Sequence, residues 1–211
     1  MDAQHTVPSG TMSSGPDARE RILSAAWSLF MERGFAEATT LEIATRARVS
    51  KRELYALVGN KEAMLAACIA ERGNRMRLPE GFPKPVDRAG LHAALRKLGV
   101  TLLREITDPD VVAAFRLGIG EAKRSPGIAR SIQARGREPA RGALVGLLRS
   151  ARESRLLKDA DVAEMASRFA ALLWGDALVW ILLGLEKAPT AKEIERHAGE
   201  TASQFLSLYG R

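Results

Sequence analysis

From Asp17 onward, apolar residues recur at intervals of three and four, and no stretch shows the strand-like alternation of apolar and polar positions with hairpin turns. The pattern predicts an all-α protein of about nine helices. Ile22, Ala26, Leu29 and Phe30 form the first stripe. It opens at Asp17 with Glu20 three positions later, a capping-box-like start, and it ends at Arg33-Gly34-Phe35, where glycine can adopt the left-handed conformation that stops a helix. Thr39 with Glu42 repeats the signature and opens a short helix through Leu41, Ile43, Ala44 and Ala47. Ser50 with Glu53 opens another, through Leu54, Leu57 and Val58. Asn60 then caps a fourth helix with the stripe Met64, Leu65, Cys68 and Ile69. Two short capped helices joined by a tight connection are the helix-turn-helix layout.

Pro79, Pro83 and Pro85 interrupt the pattern within residues 78–90, since each removes a backbone donor and turns the preceding residue away from helix. The chain therefore divides into a Ser-, Gly- and Pro-rich disordered tail (1–16), a helix-turn-helix region (17–77) and a larger helical region (78–211). In the last, an amphipathic helix runs from Asp87 to about Ile106. A second opens at Asp108-Pro109 with Val112, Phe115 and Ile119. A third opens at Ser125-Pro126 and is kinked or restarted at Pro139 before Leu144, Leu147 and Leu148. Asp161 to about Leu185 reads as one long helix, and Thr190 to Tyr209 as the final one. On that final helix Ile194, Ala198, Thr201, Phe205 and Leu208 lie on one stripe with Ala202, Leu206 and Tyr209 beside it, more apolar surface than one helix needs to bury.

Composition narrows the function. Hydrophobic residues make up 46% and charged residues 27%, the balance of a folding globule. Lys and Arg number 32 against 25 Asp and Glu, a formal charge of +7, so the surface attracts polyanions: DNA, RNA or anionic lipid. Cys68 is the sole cysteine and His5, His92 and His197 are scattered, so no disulfide and no zinc spacing exists. Gly118-Ile119-Gly120 lacks the third glycine and the preceding strand of a dinucleotide loop, and no G-x-S-x-G elbow occurs. No catalytic residue, metal or cofactor is expected. The tail lacks the apolar core of a secretion signal, and the expected compartment is a reducing cytoplasm. The apolar run from Phe169 to Leu185 carries Asp176 in its middle, which argues for a buried or interface helix over a membrane span. Asp176 itself is either a partnered interface carboxylate or a ligand contact.

A helix-turn-helix reads DNA because its second helix fits the major groove while surrounding donors hold phosphates. Ser50, Lys51 and Arg52 stand at the N-terminal end of that helix, and Tyr55 follows one turn later. Lys61 starts the next helix and Thr39 or Thr40 the previous one, both natural phosphate anchors. Taken singly, Ser50 is a cap, Glu53 is its capping partner, and Tyr55 is open between core edge and DNA contact. The joint pattern selects nucleic acid.

The segment ERILSAAWSLFMERGFAEATTLEIATRARVSKRELYALVGNKEAML resembles the DNA-binding domain of the TetR/AcrR family of transcriptional regulators over residues 18 to about 70, most specifically in TTLEIATRARVSK, Leu54-Tyr55 and Asn60 to Glu62. The resemblance implies a double-stranded operator as partner and puts Thr40, Lys51, Arg52, Tyr55 and Lys61 at DNA-contacting positions. In it, Tyr55 and Lys61 meet phosphates, and Lys51 and Arg52 lie nearest the bases. There are two departures: Arg48 replaces the usual turn glycine, and Leu57-Val58 replaces the usual aromatic pair. The segment at Pro126, the run FAALLWGDALVWILLGL and the ending FLSLYGR resemble the effector domain of one branch of the same family. This implies a homodimer through the last two helices on a near-palindromic operator, and the excess apolar surface of those helices puts Phe205 in the interface. It also implies a pocket for a small hydrophobic effector, with Phe115, Met165, Phe169, Trp174 and Trp180 as candidate wall residues; such residues on buried helices are otherwise plain core. A ligand-responsive repressor is thus implied. The alternative, an architectural or helper DNA-binding protein without a ligand, would lack a cavity in the second region.

Overall fold

A computed structural model describes residues 17–75 and 84–211, without the side chains of 73–75. The N-terminal tail and most of the proline-rich boundary, Pro79 and Pro83 included, lie outside the described residues. Among the described residues the chain is helical, and its one β feature is an isolated bridge between Leu157 and Gly210. It forms two compact units, one ending at Met64 and the other beginning at Leu65.

The first unit holds α1 (Ala18–Arg33), α2 (Thr40–Ala47), α3 (Lys51–Leu57) and the start of α4 (Lys61–Arg75). Each begins where a side chain meets orphan backbone donors. Asp17 accepts from the amides of Arg19 and Glu20, Ser50 Oγ from Glu53 at 3.1 Å, and Asn60 Oδ1 from Ala63 at 2.8 Å. At α2 the box is reciprocal: Thr39 Oγ1 accepts from the Glu42 amide while Glu42 accepts from the Thr39 amide and hydroxyl, which holds the Glu42 carboxyl below its ordinary range. Ile22, Leu29, Phe30, Ile43, Leu54 and Met64 are fully or almost fully buried. Arg48 ends α2 with φ 55° and ψ 49°, so the turn keeps the left-handed geometry that glycine would take freely.

The second unit holds the rest of α4, then α5 (Arg88–Ile106), α6 (Pro109–Gly120), α7 (Pro126–Ile132), a π-turn (Gln133–Arg137), α8 (Glu138–Glu153), α9 (Val162–Trp174), α10 (Ala177–Leu183) and α11 (Ala191–Tyr209). Its core is drawn mainly from α5, α8, α9 and α11. Helices α5 and α11 come together at Gly99, where an added Cβ would lie 3.2 Å from both Ala198 Cβ and Leu173 Cδ1. The C-terminus is pinned by Lys158 Nζ donating to the Leu208 carbonyl at 2.8 Å and by Arg88 donating to the Leu206 carbonyl at 3.0 Å.

Two expectations change and one is narrowed. The single long helix from Asp161 to Leu185 is two, because Gly175 takes φ 52° and ψ −145° and turns the chain between α9 and α10. With α7, the π-turn and α8 counted as one continuous rod, the described residues form one helix more than the nine anticipated. At Pro139 the helix restarts, the second of the two outcomes expected there: the turn before it widens, with the Glu138 amide donating to the Gln133 carbonyl five residues back, and the proline enters in the first turn of α8. Phe205, expected in an interface between copies, is fully buried inside its own unit, edge-on to Phe169 at 5.5 Å between ring centres and 5.1 Å from Tyr209. Amphipathic spacing gave the right face of the last helix. That face packs on α5 and α9.

No single helix among the described residues is long and apolar enough to cross a membrane; α9 and α10 reach that composition only as a pair, bent by 55°.

Candidate functional site

The first unit presents a polar face around α3. Helix α2 is clamped to α1 by the Arg46 guanidinium on the Glu32 carboxylate (2.7 and 3.0 Å), by an Arg33–Glu42 ion pair and by Arg21 Nε donating to the Ala47 carbonyl at 3.2 Å. Leu54 is the residue of α3 that reaches the core. Lys51, Arg52 and Tyr55 are exposed, Tyr55 at 45%. Thr40 Oγ1 and Tyr55 Oη stand 3.4 Å apart, so two hydroxyls from the two helices converge on one spot at the surface. Lys51 and Arg52 form no ion pair among the described residues. Cations at a helix N-terminus oppose the helix dipole, a local cost that a bound polyanion would reverse. Leu41 is 63% exposed on the same unit, an apolar group of the size that meets a thymine methyl.

Thr39 and Ser50 are occupied as caps, as their spacing suggested. Lys61, expected as a phosphate anchor, also has a structural task. Its ammonium donates to the carbonyls of Ala36 and Ala38 at 3.0 and 3.1 Å and sits 4.7 Å from the centre of the Phe35 ring, tying the start of α4 to the loop between α1 and α2. One of its three protons remains for a phosphate. Lys61→Met is therefore expected to lower the stability of the first unit by about 1–2 kcal/mol, because two carbonyls lose a charged donor. A thermal melt unchanged by this substitution would contradict that role.

The second unit holds a half-open cavity of about 580 Å³. Leu102 and Ile106 of α5, Val111, Ala114, Phe115 and Ile119 of α6, Ala166, Ala170 and Trp174 of α9 and Leu178 of α10 give it apolar walls. The π-turn and the start of α8 close another side with Gln133, Arg135, Arg137 and Arg141, while Ile69 and Arg72 of α4 complete it. Arg72 is paired with Asp110 at 3.0 Å. Glu105 lies on the α5 wall, and burial, together with the nearby Asp108 carboxylate, pushes its carboxyl above the ordinary range.

Of the sequence-derived wall residues, the structure puts Phe115 and Trp174 on the cavity. Met165 and Phe169 instead face the packed core and are fully buried there, because α9 turns those positions toward α5, α8 and α11. Trp180 is 40% exposed on α10, its indole N–H donating to Asp176 at 3.4 Å, because the break at Gly175 redirects α10. Asp176 is thus partnered within its own chain. The arginines and Glu105 were missed: polar residues at helical spacing read as a solvated face, and the register that turns Arg137 and Arg141 to the cavity depends on the π-turn.

The family described as bacterial regulatory proteins of the tetR family matches residues 22–68, and the family described as the C-terminal domain of AefR-like transcriptional repressors matches residues 93–211. No curated protein matches the chain in sequence. Among solved structures, a TetR transcriptional regulator from Agrobacterium tumefaciens is 30% identical with a TM-score of 0.79, over 92% of this chain and 94% of that one. The flavonoid-responsive regulator FrrA is 32% identical with a TM-score of 0.77, over 92% and 97%. A TetR-family regulator from Mesorhizobium loti, at 22% identity and a TM-score of 0.76 over 92% and 97%, shares the fold.

Proposed function

Because the chain belongs to the TetR family of transcriptional regulators, we propose that it is a ligand-responsive repressor that binds a near-palindromic operator as a homodimer in the cytoplasm. The observation that carries the DNA half is the exposed face of Lys51, Arg52, Tyr55 and Thr40 on a clamped helix-turn-helix. Thr40 and Tyr55 hold phosphates through their paired hydroxyls, and Lys51 and Arg52 reach base edges. The observation that supports the ligand half is the apolar cavity of the second unit, which favours a regulator over an architectural protein without an effector. One relative, FrrA, is described as flavonoid-responsive, which lends weight to a small organic effector here.

Helix α4 is the physical route between the two activities. It begins at Lys61, bonded into the first unit, and carries Ile69 and Arg72 on the wall of the cavity. A ligand with different affinity for two positions of α4 changes the population of the DNA-binding state by that difference and by no more.

A salt series on operator and scrambled duplexes tests the division of labour. Tyr55→Phe is expected to weaken both duplexes alike. Replacing the base reader among Lys51 and Arg52 by Ala is expected to cost about 1–3 kcal/mol per half-site on the operator alone. If Lys51→Ala and Arg52→Ala weaken both duplexes equally, sequence choice comes instead from Thr40, Leu41 or DNA shape.

A further inference from the structure

The cavity is uneven in charge. The walls from α5, α6, α9 and α10 are mostly apolar, while the side built by the π-turn and the start of α8 carries three guanidinium groups, Arg135, Arg137 and Arg141. None of them forms an ion pair among the described residues, whereas Arg72 on the α4 side is already matched by Asp110. Arg137 and Arg141 are four residues apart, so they stand one above the other on the face of the rod that also turns Ala140 and Leu144 to the cavity. The extra residue of the π-turn brings Arg135 and Gly136 onto that face as well. Like charges gathered at the rim of an apolar space repel each other, and an anion seated among them relieves that repulsion while accepting forked hydrogen bonds. Glu105 is the acidic group on the wall among the described residues, and burial, with the nearby Asp108 carboxylate, raises its carboxyl above the ordinary range.

We propose that this cavity takes an amphipathic organic anion, an apolar body ending in a carboxylate that Arg137 and Arg141 hold with help from Arg135. The proposal rests on the reading of the cavity as the effector site and names the chemistry that the site selects. Neutral molecules of the same apolar size lack the head group those guanidinium groups bind. Cationic ones meet them with like charge.

The test uses the full chain and the neutral fluorophore N-phenyl-1-naphthylamine, displaced by dodecanoate, dodecanol or dodecyltrimethylammonium below their micelle concentrations. The fluorophore is expected to bind once per chain and to be excluded by Ala170→Trp, which fills the apolar end. Dodecanoate should displace it at a concentration at least tenfold lower than the other two require. The double variant Arg137→Gln with Arg141→Gln, at two exposed positions, should erase that tenfold preference, read as the ratio of displacing concentrations within that variant. Glu105→Gln should sharpen the preference. Equal displacement by all three, or preference for the ammonium, overturns the anion inference while the effector cavity stands. Failure of the fluorophore to bind, or its equal binding to Ala170→Trp, overturns the effector reading and the anion inference with it.

Discussion

Replacing Phe205 by Asp is expected to leave the second unit without a cooperative unfolding transition. Phe205 is fully buried between Phe169 and Tyr209. Truncating such a ring to Ala costs about 3–5 kcal/mol through lost burial and the cavity left behind. An aspartate adds a carboxylate with no cation to meet it there. Together these approach the total stability of an ordinary domain, on the order of 5–15 kcal/mol. Calorimetry should show the transition lost and the protein prone to aggregate. A folded protein with its transition intact would contradict this account of the core.

The larger functional effect is expected at α10. Val179, Trp180 and Leu183 are 53%, 40% and 62% exposed, with Leu185 just beyond at 72% and Leu208 of α11 at 52%. Val179 and Leu183 are one turn apart on a helix whose inward residue is Ile181. Such a run of large apolar side chains is unusual for a surface that faces only water. We expect it to be covered by a second copy. Val179→Glu with Leu183→Glu should cost the protomer little, since surface substitutions usually fall within about 0.5 kcal/mol. The same pair should give monomers in sedimentation. Operator affinity should then fall by about 10²- to 10⁴-fold, because the second half-site contact becomes a separate binding event. A dimer that survives both charges would place the interface elsewhere.

The contrast between Phe205 and α10 shows where the sequence was legible. Local devices read well. The caps at Asp17, Thr39, Ser50 and Asn60 act within one turn of their own position, so residue identity and spacing suffice to find them. The all-helical class and the helix-turn-helix followed from these caps. Periodicity also found the apolar stripe of α11, but a stripe says which face is covered and not by what. Whether α5 or a second chain covers Phe205 is a tertiary fact. The break at Gly175 was hidden because the residues on both sides continue an apolar run, and with it went the placement of Trp180. The structural task of Lys61 was hidden for a related reason: a lysine at a helix start looks like a solvated cation until the carbonyls of Ala36 and Ala38 are brought to it by folding. The cavity arginines depend on a π-turn whose only sign in the sequence is Pro139 inside an otherwise helical pattern.

The central claim is that α3 reads a specific DNA site, and footprinting over the DNA flanking the chain's own coding region tests it most directly. The intact protein is expected to protect one short segment with approximate two-fold symmetry. The triple variant Lys51→Ala, Arg52→Ala, Tyr55→Phe should lose that protection while keeping the wild-type melting curve, since none of the three side chains is buried. Protection that persists unchanged in the triple variant would contradict the account, because the DNA would then be held by some other face of the molecule.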